Sequence, residues 1–322
     1  MSLEFYWTLP ASGDRRSRAF DQLGAGKPLY NANIRDLRGN SYSNFDYLAQ
    51  VARAAELTGF DGVIAADGLD GDSAWIIAGA IAREVTRLKL LAQFSPGLGS
   101  AVYAAKQAVT FQRYSGNRFG WALATAEYAA ERRALGDYID ADKINARLEE
   151  FLIVSKGVAS QLKFTFKGEY FEVLDGGFGG PLSGLALPEI TLRGTGDDAL
   201  ALSAKYADVH EFDLGTEDLD GRIARLDALA EAGGRQIRIA LRARIVAHPD
   251  GQQALTDAGR AGFEGDAHTL VGDFTSVTDQ LLTLSDRGVD RFVLHAPRSL
   301  EAAYQAGEHI LPLVRASARK AA

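Results

Sequence analysis

The chain of 322 residues contains no cysteine. Disulfides, thiolate metal ligands and cysteine nucleophiles are thereby excluded, and with them a disulfide-built secreted scaffold. Long apolar runs are missing too. Even the stretch from Ala74 to Ala82 is cut off by Arg83 and Glu84, well short of the roughly 18 residues that suggest a membrane span. The opening MSLEFYWTLP lacks the basic flank and apolar run of a signal peptide and is soon followed by the charged DRRSR, so a cytoplasmic protein is expected. Positive charge is in deficit, with 35 Lys and Arg against 42 Asp and Glu and a net charge of −7. Neither nucleic acid nor a membrane is therefore an expected partner, because neutralising phosphates takes a basic surface.

Several catalytic signatures are absent as well. The five histidines show no H-x-x-x-H pair, which argues against zinc. Asp67, Asp70 and Asp72 lack the closing Glu of a calcium loop, and Asp72 is better read as the cap or first turn of the next helix. No metal site is expected. There is no G-x-S-x-G elbow, and the residues after Leu9 are PASGD rather than a G-x-G-x-x-G dinucleotide fingerprint.

What is present is an alternation. Short apolar runs (Leu3–Leu9, Asp61–Ala65, Leu88–Phe94, Arg118–Thr125) alternate with segments of helical spacing, the first of them capped by Ser43 and closed by Gly59. Further runs at Pro188–Leu192, Asp208–Phe212, Ile237–Ala247 and Arg291–His295 continue the pattern, and KFTFKGEYFEV reads as a hairpin turning at Lys167-Gly168. Roughly eight βα units in one chain favour an α/β fold of the (β/α)8 TIM-barrel type. A single domain over residues 1–322 is expected, with an appended β-hairpin and long βα loops at the carboxyl face of the barrel.

Reactive groups of such a barrel lie at the carboxyl ends of its strands. Arg193-Gly194-Thr195-Gly196 forms a Gly-containing turn before a helix that starts at Asp197. Backbone N–H groups and the helix dipole make such a turn an anion site, or else it is a plain tight turn with Thr or Asp as cap. Arg242 and Arg244, two apart in a strand, face one side; they clamp an anion or pair with carboxylates. His295 and Arg298 follow the last strand, where His295 is either a proton-transfer group or a structural histidine.

These residues resemble the bacterial-luciferase-like flavin monooxygenases, and within them the alkanesulfonate monooxygenase branch. The resemblance rests on MSLEFYWTLPASGD, ARAAELTGFDGV, DSAW, TRLKLLAQFSPGLGSAVYAAKQAVTFQRYSGNR, PEITLRGTGDDALALSAKYADVH, LVGDFTSVTDQL and GVDRFVLHAPRSLEAAYQAGEHILPLV, in that order. It implies a (β/α)8 barrel that takes reduced FMN from a separate NAD(P)H-dependent reductase and uses O2 to oxygenate a small, anionic, sulfonate-like substrate. A homo-oligomer, dimer or tetramer, is implied too. By the same resemblance Thr125 lies beside the flavin, the turn Arg193 to Gly196 holds its phosphate, and Arg242 contacts the sulfonate; from their strand-end positions Arg244 or Arg298 would join Arg242 in orienting the substrate. Related branches imply two alternatives: a deazaflavin (F420)-dependent oxidoreductase, or a flavin-poor non-catalytic partner subunit. Several family positions differ here. The branch's active-site Cys falls at Gly71, its strand-seven His at Arg244 and its last Tyr at Pro297, while Ala141, Ile144 and Asn145 replace a His, an Arg and a Tyr. The segment Pro249–Thr269 is shorter than the family's lid region and the loop Ala11–Tyr42 is longer.

Overall fold

The computed structural model describes residues 3–12, 43–67, 71–124 and 129–321. Along the chain, β1 (Glu4–Thr8) is followed by α1 (Asn44–Leu57), β2 (Gly62–Ala66), α2 (Ala74–Glu84), β3 (Lys89–Phe94), α3 (Ala101–Ser115) and β4 (Phe119–Leu123). Two helices, α4 (Ala129–Ala134) and α5 (Ile144–Ser160), lead to β5 (Phe164–Lys167) and β6 (Glu172–Gly176). Then come β7 (Glu189–Arg193), α6 (Asp197–Tyr206), β8 (Val209–Asp213), α7 (Leu219–Ala232) and β9 (Arg238–Ala247). The chain continues with α8 (Gly251–Ala261), β10 (Thr269–Gly272), α9 (Phe274–Asp286), β11 (Val289–His295), α10 (Ser299–Gln305) and α11 (Leu311–Ala321). The fold is the expected (β/α)8 TIM barrel, with β5 and β6 as the appended antiparallel hairpin and β10 as an extra strand parallel to β9.

The residues group into two compact units. One comprises Met1–Leu88, Asp213–Gly215 and Leu241–Ala322, with strands in the order β10-β9-β11-β1-β2. Parallel strands are covered on both faces, so they read as apolar runs rather than alternations. In β1 the consecutive Phe5, Tyr6 and Trp7 are all fully buried. Phe5 stacks on Phe292 of β11 at 5.7 Å, while Trp7 meets Phe60 edge-on at 5.4 Å. A charge enters this core. Arg291, 1% exposed, donates to the Glu4 carboxylate on the neighbouring strand at 2.6 and 2.9 Å and lies over the Tyr6 ring. At the amino end of α1, the Ser43 N–H and hydroxyl both donate to Asp46, so the predicted cap is in place. At the other end of this unit the helix is disturbed. Pro312 lacks the N–H that an α-helix would use, and a π turn at Ala306–Ile310 precedes it. Gly307 of that turn lies so close to Thr58 that a Cβ would clash.

The other unit comprises Lys89–Phe212 and Thr216–Ala240, with strands in the order β3-β4-β7-β8. Its core is aromatic: Trp121 of β4 lies 5.7 Å from Phe94 and 5.8 Å from Phe151 of α5. The hairpin turns more widely than a two-residue turn at Lys167-Gly168. The N–H groups of Glu169, Tyr170 and Phe171 converge on the Glu150 carboxylate at 2.7, 2.8 and 3.0 Å, so a side chain from α5 closes the loop.

Two local readings are corrected. Asp72 is not the cap of α2: Ser73 occupies that position, and it is the Asp67 carboxylate that accepts the Ala74 N–H. The segment Thr269–Asp286 carries a strand and a helix, β10 and α9, that the run-by-run reading passed over. The signals were present, since Asp273 caps Ser276 at 2.8 Å and the buried Val277, Leu281 and Leu284 have helical spacing. Among the described residues no helix is long and apolar enough to cross a membrane.

Removing one partner of a buried ion pair leaves the other charge stranded. Glu4→Ala is therefore expected to lower the unfolding free energy by about 3 kcal/mol in a urea titration. Glu4→Leu combined with Arg291→Met should recover most of that loss.

Candidate functional site

The turn Arg193-Gly194-Thr195-Gly196 joins the carboxyl end of β7 to α6. Gly194 has φ +132°, and a Cβ there would meet the Ala199 Cβ at 2.7 Å; only glycine lets the chain reverse so close to the first turn of α6. Gly196 is the N-cap of α6, with open space where its side chain would be. Thr195, Gly196, Asp197 and Asp198 are exposed. Arg193 on β7 and Glu211 on β8 are register partners, and their side chains form an ion pair at 3.2 Å, with the carboxylate buried.

The turn is held by a residue that the sequence reading left out. His210 of β8 is fully buried and packs against Phe212, their ring centroids 4.3 Å apart. Its Nε2 lies 3.0 Å from the Gly194 carbonyl and its Nδ1 2.7 Å from the Ser203 hydroxyl on α6. A carbonyl only accepts, so Nε2 carries the hydrogen and Nδ1 accepts from Ser203. Burial pushes the His210 pKa down to about 4, which keeps the ring neutral near pH 7. Arg222 of α7 binds the other side of the turn, donating to the Thr195 carbonyl and, at 2.9 Å, to that of Glu217. The sequence signal for His210 was faint. A His between the buried Val209 and Phe212 faces either side of a parallel strand, and only the pairing with Leu192 turns it towards α6.

The backbone therefore suits a phosphate-sized anion: an exposed glycine turn at a helix N-terminus, where the first amides lack intrahelical acceptors. Asp197 and Asp198 in the first turn of α6 work against it by adding negative charge near the same amides.

Arg242, Arg244, His295 and Arg298 lie in the other unit. On β9, the half-buried Arg242, Arg244 and Val246 alternate with the buried Leu241, Ala243 and Ile245, so the two arginines share a side as expected. Arg244 is committed elsewhere. It pairs with Asp266, donates to Thr269 Oγ1 at 3.1 Å and lies 3.8 Å from the Phe263 ring centroid, the carboxylate pairing that the sequence left open. His295 ends β11 and is half-buried, while Arg298 is exposed at the N-cap of α10. The next residue, Ser299, accepts the buried Trp7 indole N–H at 2.8 Å. Thr125 lies outside the described residues.

A family model for luciferase-like monooxygenases matches residues 29–272. The chain belongs to the luciferase-like monooxygenase family. Solved structures with the same fold include EDTA monooxygenase from Chelativorans sp. BNC1, with a TM-score of 0.79 and 16% identity over 99% of this chain and 95% of that one. Long-chain alkane monooxygenase is similar at a TM-score of 0.77 and 15% identity, covering 99% and 92%. An F420-dependent secondary alcohol dehydrogenase has a TM-score of 0.74 and 14% identity, covering 98% and 99%. As a luciferase-like monooxygenase the chain is an oxidoreductase of a family whose folds carry flavin or F420. A Cβ at Gly71 would come within 2.8 Å of the Ser12 hydroxyl, so a larger side chain there would displace Ser12. In the first turn of α5, Arg147 binds Asp137 at 2.6 and 3.0 Å and fills the space against Gly97.

Two outcomes follow from the turn. Gly194→Ala combines a positive φ with a steric clash and should cost about 1–3 kcal/mol of stability by chemical denaturation. His210 ionises less readily when folded than at its ordinary 6.5, so the unfolded chain takes up the proton first. Stability is then lost as pH falls from 6.5 towards 4. Thermal melts across that range should show a steeper decline for the wild type than for His210→Phe.

Proposed function

We propose that this luciferase-like monooxygenase uses reduced FMN and O2 to oxygenate a small, anionic, sulfonate-like organic substrate. The observation that carries the reading is the exposed turn Arg193 to Gly196, whose glycine geometry and free helix-terminal amides suit the flavin phosphate. Arg193 would stay at the base of the phosphate site, oriented by Glu211, with the Thr195 hydroxyl adding a donor. Bound there as FMNH2, the flavin would supply the two electrons that let O2 deliver one oxygen atom to the substrate and the other to water. Thr125 would line the flavin. Arg242 would hold the substrate anion with Arg298, while Arg244, tied to Asp266, would brace β9 beside β10. His295 would contribute a proton-transfer group at the end of β11. A separate NAD(P)H-dependent reductase supplies FMNH2 in this reading, because the strand-to-helix turn after β1 lacks a dinucleotide fingerprint. Exposed Leu57 and Ile76, each 73% accessible, support a homo-oligomer.

Anaerobic titration with photoreduced FMN, followed by tryptophan fluorescence, should give saturable binding. With substrate, 18O2 should then label the product. Reduction or oxidation of F420 without O2 consumption would favour the deazaflavin reading, and binding of neither cofactor would overturn both. Arg242→Ala should raise KM for an anionic substrate roughly tenfold or more, the weight of a charge-assisted hydrogen bond, and leave the FMN Kd unchanged. Asp197→Asn and Asp198→Asn should each tighten FMN binding by about two- to fivefold at low salt.

A further inference from the structure

Two side chains fix the peptide planes of the anion turn from opposite ends of the adjoining sequence. His210 holds the Gly194 carbonyl and Arg222 holds the Thr195 carbonyl. In a trans peptide the carbonyl of one residue and the N–H of the next point in opposite directions; the structure contains no cis bonds among the described residues. With the Gly194 carbonyl drawn inward to the buried imidazole, the Thr195 N–H is turned away from His210. With the Thr195 carbonyl drawn to Arg222, the Gly196 N–H is turned away from Arg222. We infer that His210 and Arg222 are positioning residues that preset the Thr195 and Gly196 amides as donors to a phosphate, so that the turn needs no rearrangement on binding.

The chain of support runs deeper than two bonds. Ser203 lies on α6, the helix that the turn begins, and its hydroxyl satisfies the second nitrogen of His210. His210 thus ties the start of α6 to β8 through both nitrogens and couples the turn to a buried strand. Arg222 has its Nε engaged by the Glu217 carbonyl, which aims its remaining donors. Fixing two peptides in advance removes the ordering cost from the binding step, and affinity gained by preorganisation is specific to the group that uses it. Only the phosphate part of a ligand gains here. FMN and riboflavin differ by that phosphate alone.

This inference rests on the phosphate reading of the turn, and the two are separable by one set of measurements. Dissociation constants for FMN and riboflavin are measured by fluorescence quenching on the wild type and on His210→Phe, His210→Gln, Arg222→Ala and Arg222→Lys. Wild type should prefer FMN. His210→Phe should weaken FMN roughly tenfold and leave riboflavin unchanged, the scale of one or two hydrogen bonds to a charged group. His210→Gln, which still donates to the Gly194 carbonyl, should restore most of the preference. Arg222→Ala should lose several-fold of the FMN preference, with Arg222→Lys intermediate. A wild type that binds both ligands equally would overturn the phosphate reading itself. A wild type that prefers FMN with His210→Phe and Arg222→Ala retaining that preference would leave the phosphate site standing and overturn the positioning role. Should His210→Phe fail to fold, His210→Gln and Arg222→Ala, at a half-buried position, decide the same question.

Discussion

Strands covered on both faces leave no water for a charged side chain or an imidazole, so a charge or a ring nitrogen placed there is held by a second residue. This constraint organises the molecule. Arg291 sits at 1% exposure because Glu4 is its register partner on β1. Glu189 on β7 is paired by Arg238, and Glu211 is kept as a buried carboxylate beside Arg193. His210 is satisfied at both nitrogens. In every case the apolar run is interrupted by a charge or a ring that makes sense only with a second residue from another element.

The same rule ties residues on the strands to their neighbours. Arg244, two positions from Arg242 on one strand, is engaged by Asp266, Thr269 and the Phe263 ring. Arg193 is shared with Glu211 and serves best as a fixed element of the turn. What remains exposed at the turn is backbone: the amides of Thr195, Gly196 and the first residues of α6. A site made of peptide groups depends on whatever orients those peptides. This gives weight to His210, whose ring contacts the turn only through the back of a carbonyl.

Much of the fold was legible. The boundaries of β1, α1, α3, β7, α6 and β9 fall within a residue or two of the apolar runs and helical periods, and Ser43 caps α1 with Asp46 as its partner. Gly59 and Gly116, at φ +91° and +66°, stand just past the helices they close. The misses were long-range. Whether Asp67 or Asp72 serves α2 is decided by how the chain leaves β2, seven residues before the amide that is capped. The hairpin turn is closed by Glu150, which lies some twenty residues away on α5. β10 and α9 carried readable signals in the stretch between the segment Pro249–Thr269 and the last run Arg291–His295.

By itself the sequence determined the class of molecule: the alternation of apolar runs and helical periods favours a (β/α)8 barrel, and the absence of cysteine excludes thiol chemistry. It also marked a glycine turn at Arg193 to Gly196, because R-G-T-G-D follows a strand and opens a helix. Tertiary structure alone decided that His210 and Arg222 hold the turn's carbonyls and that Arg244 pairs with Asp266. Local sequence encodes backbone preference through φ, ψ and periodicity, whereas the partner of a buried donor or acceptor is fixed only when distant elements pack and exclude water.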